Sequence, residues 1–318
     1  MEPRDAARLL VADGLVDRRF SDLPDLLDPA DLVVVNRTRV RRARLIGRKE
    51  ETGGRVEALL LAPIGGDRWE ALMRPARRLR HGTALRFGNL RAVVEGDPVE
   101  GRVMLALDAG EQDVESAIES SGTIPLPPYF HGRLDDPERY QTVYGEQATS
   151  AAAPTAGLHF TPAVLSRLTE RGIAVAGIDL DIGIDTFRPI AAGDLEGHRM
   201  HSEHYRVGEE TAAALGAARA GGGRVVAIGT TVVRALESAA VGGEVRPGQG
   251  PTDLFITPGY RFRAVDVLVT NFHIPESTLV VLVAAFMGLA WREVYGAALE
   301  RGYRFLSFGD AMVAERAP

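Results

Sequence analysis

From residue 162 onward, apolar positions with two different periods alternate along the chain. Stretches with the three- to four-residue spacing of helices are separated by short continuous runs of valine, isoleucine and leucine. This alternation predicts an α/β main domain with a largely parallel mixed sheet and flanking helices. The predicted helices are 162–171, 209–220, 232–238, 278–289 and 291–301, and the predicted strands are 31–35, 173–182, 224–228, 265–270 and an aromatic strand at 303–310.

A second pattern occupies residues 58–151. Short apolar stretches, among them 69–73, 84–87, 90–94 and 103–107, are separated by Gly, Asp and Pro turns. Strands of this spacing predict a small β-barrel. The three prolines of GTIPLPPY at 122–129 require an extended strap. We therefore predict a main domain at 1–57 and 152–318 with an inserted barrel domain and strap at 58–151, and a glycine-rich loop at 241–250.

Composition excludes some chemistry and locates charge. Because the chain has no cysteine, thiolate nucleophiles and cysteine metal sites are excluded. The charged first residues predict no signal peptide, and the apolar run 279–290 is about half a membrane span in length. We therefore expect a cytoplasmic protein without a membrane partner, and a monomer.

The net charge of −6 is unevenly spread. Residues 37–86 contain fourteen Arg or Lys and five Asp or Glu, a local balance of +9. Arginine suits phosphate because its planar fork donates two parallel hydrogen bonds, although a solvated basic surface is the simpler explanation. The candidate RNA-binding residues are Arg37, Arg39, Arg41, Arg42 and Arg44.

Three short polar loops are the best candidates for a ligand site. The first, AAPTAGLHFT at 152–161, contains Thr155, Gly157 and His159 and leads into a helix start. The others follow predicted strands, where polar residues meet at the carboxyl edge of a parallel sheet. These are Gly229-Thr230-Thr231 with Arg234, and Asn271-Phe272-His273. Asp310, at the end of the last predicted strand, completes the candidate wall.

The densest polar cluster is HRMHSEH at 198–204. Its spacing differs from that of metalloprotease histidines, so we expect no metal there. A histidine-rich surface loop is one interpretation. Acid–base chemistry is the other, with His201 and Glu203 as candidates for proton transfer.

Eleven segments stand out between about residue 20 and residue 313, namely AAPTAGLHFT, HRMHSEHY, AIGTTVVRALES, TNFHIPESTL, YRFLSFGDAM, FSDLPDLL, NRTRV, ARLIG, TGGRVE, IPLPPY and RYQTVY. Taken together, and in the order in which they occur along the chain, they resemble the S-adenosylmethionine:tRNA ribosyltransferase-isomerase family. The resemblance implies an α/β body with an inserted barrel, and S-adenosylmethionine as ribosyl donor. The implied acceptor is the aminomethyl-deazaguanine base in the tRNA anticodon. Adenine and methionine would leave, and epoxyqueuosine would form.

The chain also departs from the family at two positions. A family histidine and glycine are replaced by Asp181 and Asp185 in LDIGIDTF. These changes motivate two alternatives: a divergent paralogue acting on another acceptor, and a non-catalytic module that binds S-adenosylmethionine or RNA. Under the main hypothesis, the catalytic candidates are His159, His201, Glu203, His273 and Asp310. The substrate-binding candidates are Thr155, Gly157, Thr230, Thr231, Arg234 and Asn271.

Overall fold

In the computed structural model, residues 3–127, 129–130, 134–183, 195, 197–198, 200 and 202–318 are described. The strands are β1 (Arg8–Val11), β2 (Val16–Arg19), β3 (Leu32–Asn36), β4 (Thr38–Val40), β5 (Arg44–Lys49), β6 (Arg55–Gly65), β7 (Arg68–Arg74), β8 (Ala84–Phe87), β9 (Leu90–Val99), β10 (Arg102–Asp108), β11 (Gly122–Thr123), β12 (Gln147–Ser150), β13 (Ala174–Asp181), β14 (Glu203–Val207), β15 (Val225–Ile228), β16 (Ala240–Val241), β17 (Glu244–Val245), β18 (Gly248–Thr252), β19 (Val267–Asn271) and β20 (Ala311–Glu315).

Six α-helices and five short 3-10 helices connect these strands in the described residues. The α-helices are α1 (Val114–Ser121), α2 (Pro162–Glu170), α3 (Glu209–Ala220), α4 (Thr230–Ala239), α5 (Thr278–Met287) and α6 (Ala290–Glu300). The 3-10 helices are Arg4–Ala6, Asp13–Leu15, Phe20–Leu26, Pro137–Tyr140 and Thr155–His159. The last of these falls in the AAPTAGLHFT loop, for which the sequence predicted no regular element.

Counted over the described residues, the largest sheet has nine strands in the order β18-β14-β13-β3-β15-β19-β20-β1-β2. Its four central strands, from β13 to β19, run parallel. The antiparallel pairs lie toward both edges, for example between β19 and β20. The all-buried run of β3 and β15 fits strands covered on both faces. This confirms the predicted largely parallel mixed sheet with flanking helices.

Helix starts follow the capping chemistry of the sequence. Thr161 accepts a hydrogen bond from the N–H of Val164 at the start of α2, where Pro162 occupies the first helical position. Ser277 caps α5 in the same way through the N–H of Val280. These side chains satisfy main-chain donors that would otherwise have no partner, so they fix where each helix begins.

The second sheet closes into a six-stranded antiparallel barrel. Its strands follow the order β5-β6-β7-β10-β9-β8, and β8 pairs again with β5. Side chains alternate between the barrel interior and its outer face, as β7 shows with buried Trp69, Ala71 and Met73. The predicted barrel is confirmed, and its core is separate from the core of the main sheet.

The chain divides into two compact units. One comprises Met1–Arg39, Glu138–Gln147 and Ala153–Pro318, and the other Val40–Pro137 and Ala148–Ala152. The barrel unit therefore begins earlier than residue 58, the limit read from the sequence. The reason is that β5 pairs with β6 in the barrel sheet. The apolar pattern of β5 does not indicate which of the two sheets this strand joins.

Two sequence expectations about local structure were wrong. Residues 303–310 form turns in place of a strand, with a positive φ at Leu306, and the last strand is β20. The glycine-rich stretch 241–250, expected to be a loop, contains β17 and the first residues of β18, which pairs with β14. Edge strands that contain glycine and proline are difficult to recognise from sequence, because a strand that pairs on one side only can form with little β-propensity.

Of the helices in the described residues, none is by itself long and apolar enough to cross a membrane, although the sharply bent pair α5 and α6 meets the length and composition criteria together.

Candidate functional site

The candidate site begins where two parallel strands end side by side. Ile228 of β15 is in register with Val269 of β19, and the N–H of Gly229 donates to the Val269 carbonyl at 2.8 Å. Gly229 has φ +97°, a value that L side chains rarely adopt, and it turns the chain directly from β15 into α4. As the N-cap residue of α4, Gly229 brings no side chain to the first N–H groups of the helix, and within the described ranges no capping bond is formed there. These N–H groups lie at the sheet edge, where a ligand could accept from them.

Two clefts share the wall formed by Thr230, Thr231 and Leu279. The first cleft is lined by Ala153, Pro154, Thr155, Ala156, Ile182, Gly229, Thr230, Thr231, Thr270, His273 and Leu279. The second cleft is lined by Met200, Glu203, Thr230, Thr231, Arg234, Leu254, Phe255, Ile256, Thr278, Leu279 and Leu282. The hydroxyl of Thr231 is buried, and none of the residues that the structure describes forms a hydrogen bond with it. An unpaired buried hydroxyl costs free energy unless a ligand satisfies it.

A chain of hydrogen bonds runs back from the first cleft through Thr155. The Thr155 hydroxyl donates to Asn271 Oδ1 at 3.2 Å, and the Asn271 amide donates to His159 Nε2 at 3.0 Å. With Nε2 accepting, the remaining proton of a neutral His159 ring lies on Nδ1. Burial lowers the pKa of His159 to about 4, against a hydrogen bond with the Arg4 main chain that raises it. His159 is therefore neutral at pH 7, and it is linked to Thr155 through Asn271.

His273 lies in the lining of the first cleft. Its Nε2 is 3.2 Å from the Thr270 hydroxyl, and its main-chain N–H donates to the Tyr295 hydroxyl oxygen at 3.1 Å. Burial lowers the pKa of His273 to about 4, so the ring is also neutral at pH 7. Among the described residues that line this cleft, His273 is the titratable one.

A buried ion pair between Arg234 and Glu203 lies in the second cleft. Arg234 also donates to the carbonyls of Leu254 at 3.0 Å and Thr252 at 3.3 Å. The other carboxylate oxygen of Glu203 accepts the N–H of Gly183 at 3.0 Å. A buried charge needs this degree of pairing to be tolerated. The pair therefore ties α4, β14, β18 and the end of β13 together.

Two other predicted site residues lie away from both cleft linings. Gly157 packs beneath Tyr144, where a Cβ would overlap the tyrosine hydroxyl. Asp310 is 1% exposed and accepts hydrogen bonds from the main-chain N–H groups of Arg8 at 3.0 Å and Arg304 at 2.9 Å. Burial raises the pKa of Asp310. The hydrogen bonds from the Arg304 side chain and from these N–H groups lower the pKa by more than burial raises it, so the pKa of Asp310 lies below its usual range.

The five arginines predicted to bind RNA are each paired with a carboxylate. The pairs are Arg37 with Glu146 and Asp179, Arg39 with Glu138, Arg41 with Glu115, Arg42 with Glu119, and Arg44 with Glu57. Ion pairs between partly exposed side chains are weak, yet their carboxylates oppose an approaching phosphate. The density of arginine in the sequence does not show this pairing.

Some predicted residues lie outside the described part of the chain, namely His201 and Asp185. Asp181 lies on β13 opposite His204 of β14. In the described ranges, no three His, Cys, Asp or Glu side chains are grouped as metal ligands. Sequence reasoning missed Thr270 and Tyr295 as partners of His273. Thr270 directly precedes Asn271 and could have been noticed, whereas Tyr295 lies on an amphipathic helix with no local signal.

Comparison with known proteins gives consistent matches over almost the whole chain. The family model described as queuosine biosynthesis protein matches residues 1–314. The S-adenosylmethionine:tRNA ribosyltransferase-isomerases of Symbiobacterium thermophilum and Moorella thermoacetica are both 51% identical, each covering 98% of this chain and 94% of the relative. The crystal structure of an S-adenosylmethionine tRNA ribosyltransferase from Thermotoga maritima is 36% identical, with a TM-score of 0.55, and the match covers 98% of this chain and 94% of that one.

We predict that the buried histidines make stability depend on pH. The pKa of His273 is about 4 in the folded chain and about 6.5 in an unfolded one, so the unfolded state gains the proton first as pH falls. The contribution of His273 to the free energy of unfolding is complete above about pH 6.5 and is lost as the pH falls toward 4. His273→Gln should reduce the loss between pH 7.5 and pH 5 by about 2 kcal/mol, measured by urea unfolding. Thr270→Val keeps the imidazole and should retain the loss. Parallel curves for His273→Gln and the unmutated protein would contradict this prediction.

We also predict that Asp310 contributes to stability. Asp310→Ala leaves the N–H groups of Arg8 and Arg304 without their acceptor, and should lower the free energy of unfolding by about 1–3 kcal/mol. The control is Glu146→Gln, which removes one exposed carboxylate from Arg37 and should change stability by less than about 1 kcal/mol. Equal effects of the two substitutions on the free energy of unfolding, measured in urea, would contradict the predicted contribution of Asp310 to stability.

Proposed function

The chain belongs to the queuosine biosynthesis protein family, and we propose that it is an S-adenosylmethionine:tRNA ribosyltransferase-isomerase. It transfers the ribosyl part of S-adenosylmethionine to the aminomethyl-deazaguanine base of tRNA and isomerises it, forming epoxyqueuosine with release of adenine and methionine. S-adenosylmethionine is thus a co-substrate. We place the reaction in the cytoplasm, where its tRNA substrate is found, and a monomeric state stays a prediction.

The observation that carries the site assignment is the buried hydroxyl of Thr231 at the start of α4, which has no hydrogen-bond partner in the described part of the chain. A helix N-terminus attracts anions because its free N–H groups carry partial positive charge. The methionine carboxylate is the one anionic group of S-adenosylmethionine. We therefore assign this carboxylate to Thr231, Thr230 and the first N–H groups of α4.

The second cleft has the surfaces that a planar base requires. Phe255, Ile256 and Leu282 line it with apolar atoms, and adenine is recognised by such walls together with a few polar groups. Arg234 and Glu203 form its polar floor, but their mutual pairing occupies them. We therefore assign both a positioning role, in place of the proton transfer predicted for Glu203.

His273 is the residue that we assign to proton transfer. Removing a proton beside the sulfonium requires an unprotonated base in the cleft, and burial keeps the His273 ring unprotonated at pH 7. Thr270 and Tyr295 hold the histidine in place. Asn271 and His159 act through Thr155, so they are positioning residues. Gly157 and Asp310 support the fold around the site.

The decisive experiment measures adenine and methionine release from S-adenosylmethionine with tRNA that carries the aminomethyl-deazaguanine base. Thr231→Val keeps the side-chain volume and removes the hydroxyl. It should raise KM for S-adenosylmethionine by about tenfold, which corresponds to about 1.4 kcal/mol, with a smaller effect on kcat. His273→Gln should instead lower kcat by about 100-fold or more.

Thr169→Val is the matched control, because Thr169 is exposed on α2. It should leave both constants unchanged. Absence of adenine release by folded, unmutated protein would overturn the proposed function. Turnover with Thr231→Val indistinguishable from the control would overturn the assignment of Thr231 but leave the reaction in place.

A further inference from the structure

Four arginines stand in one row across the outer wall of the barrel. Arg55 of β6 is in register with Arg48 of β5, Arg48 is in register with Arg86 of β8, and Arg86 is in register with Arg91 of β9. All four are exposed. With strands about 4.8 Å apart, this arginine row extends over about 14 Å.

One carboxylate contacts one end of the arginine row. Glu50 bonds Arg86 at 2.9 Å and Arg91 at 3.1 Å, and both arginines share it. At the other end, Arg48 donates to the carbonyl of Gly53 in the hairpin. Within the described residues, neither Arg48 nor Arg55 has an ion pair. This end of the row therefore differs from the paired arginines at 37–44.

Folding alone does not account for such a row. Like charges directly opposite one another on neighbouring strands destabilise a sheet, and here the arrangement occurs three times in succession. One more exposed arginine lies on the next strand, because Arg74 of β7 is in register with Glu57 of β6, two residues from Arg55. Five exposed arginines therefore lie on neighbouring strands of the barrel wall, with the carboxylates of Glu50 and Glu57 among them.

We propose that the arginine row binds the phosphate backbone of the tRNA substrate, an inference that rests on the proposed function. Guanidinium groups bind phosphate oxygens through two parallel hydrogen bonds, and a row of them fits a polyanion with regularly repeated charges. Such contacts position the RNA and read no base. They supply affinity that falls with salt concentration.

The test compares two double variants that each remove two charges from the barrel. Arg48→Gln with Arg55→Gln should weaken tRNA binding about tenfold or more near physiological salt, measured by fluorescence anisotropy with unmodified tRNA. The slope of log K against log salt concentration should fall in magnitude by about two, one for each lost phosphate contact. In the release assay, KM for tRNA should rise, while kcat and KM for S-adenosylmethionine stay unchanged.

The matched control is Arg68→Gln with Arg102→Gln. These two arginines lie on β7 and β10, across the barrel from β8 and β5, and are paired with Glu95 and Glu70. The control should leave the salt slope nearly unchanged, and thermal unfolding verifies that both variants fold. Equal loss of affinity in both variants, or no loss in either, would overturn the arginine row as the RNA surface while turnover by the unmutated protein keeps the proposed function. Failure of the unmutated protein to bind or modify tRNA would overturn both.

Discussion

The site depends on the parallel register of β15 and β19. Because Ile228 lies beside Val269, the residues that follow the two strands leave the sheet at the same edge. Thr230 and Thr231 on one side and His273 on the other then line a single cleft. A shift of one residue would turn each side chain to the opposite face of its strand. In the proposed site, the remaining groups, from Thr155 to the Arg234–Glu203 pair, support this edge.

The local parts of the site could be predicted from the sequence. The polar residues after Gly229 and Asn271 lie within a few residues of a strand end, so each group is visible in the sequence. Parallel strand topology then brings the two strand ends together. The longer connections could not be predicted. Thr155 and Asn271 are 116 residues apart. The sequence of neither segment indicates that the Thr155 hydroxyl donates to the Asn271 amide oxygen. It also gives no sign that Glu203 forms an ion pair with Arg234.

The pairing of the charged residues shows the same limit of prediction from sequence. The sequence predicts a basic region between residues 37 and 86, but strand register decides which arginines meet carboxylates and which meet one another. Arg44 lies beside Glu57 and is paired, whereas Arg48, four residues later, lies between Arg55 and Arg86. Asp310 is a similar case. Its position after an aromatic stretch predicted a site residue, but the turn at 303–310 places it against Arg8 and Arg304.

The most direct test of the account is a crystal structure of the protein with S-adenosylmethionine bound. The account predicts that the methionine carboxylate lies within hydrogen-bond distance of the Thr231 hydroxyl and the first N–H groups of α4. It also predicts that the ribose lies in the first cleft beside His273. A complex in which S-adenosylmethionine binds elsewhere, with the Thr231 hydroxyl still unpaired, would contradict it.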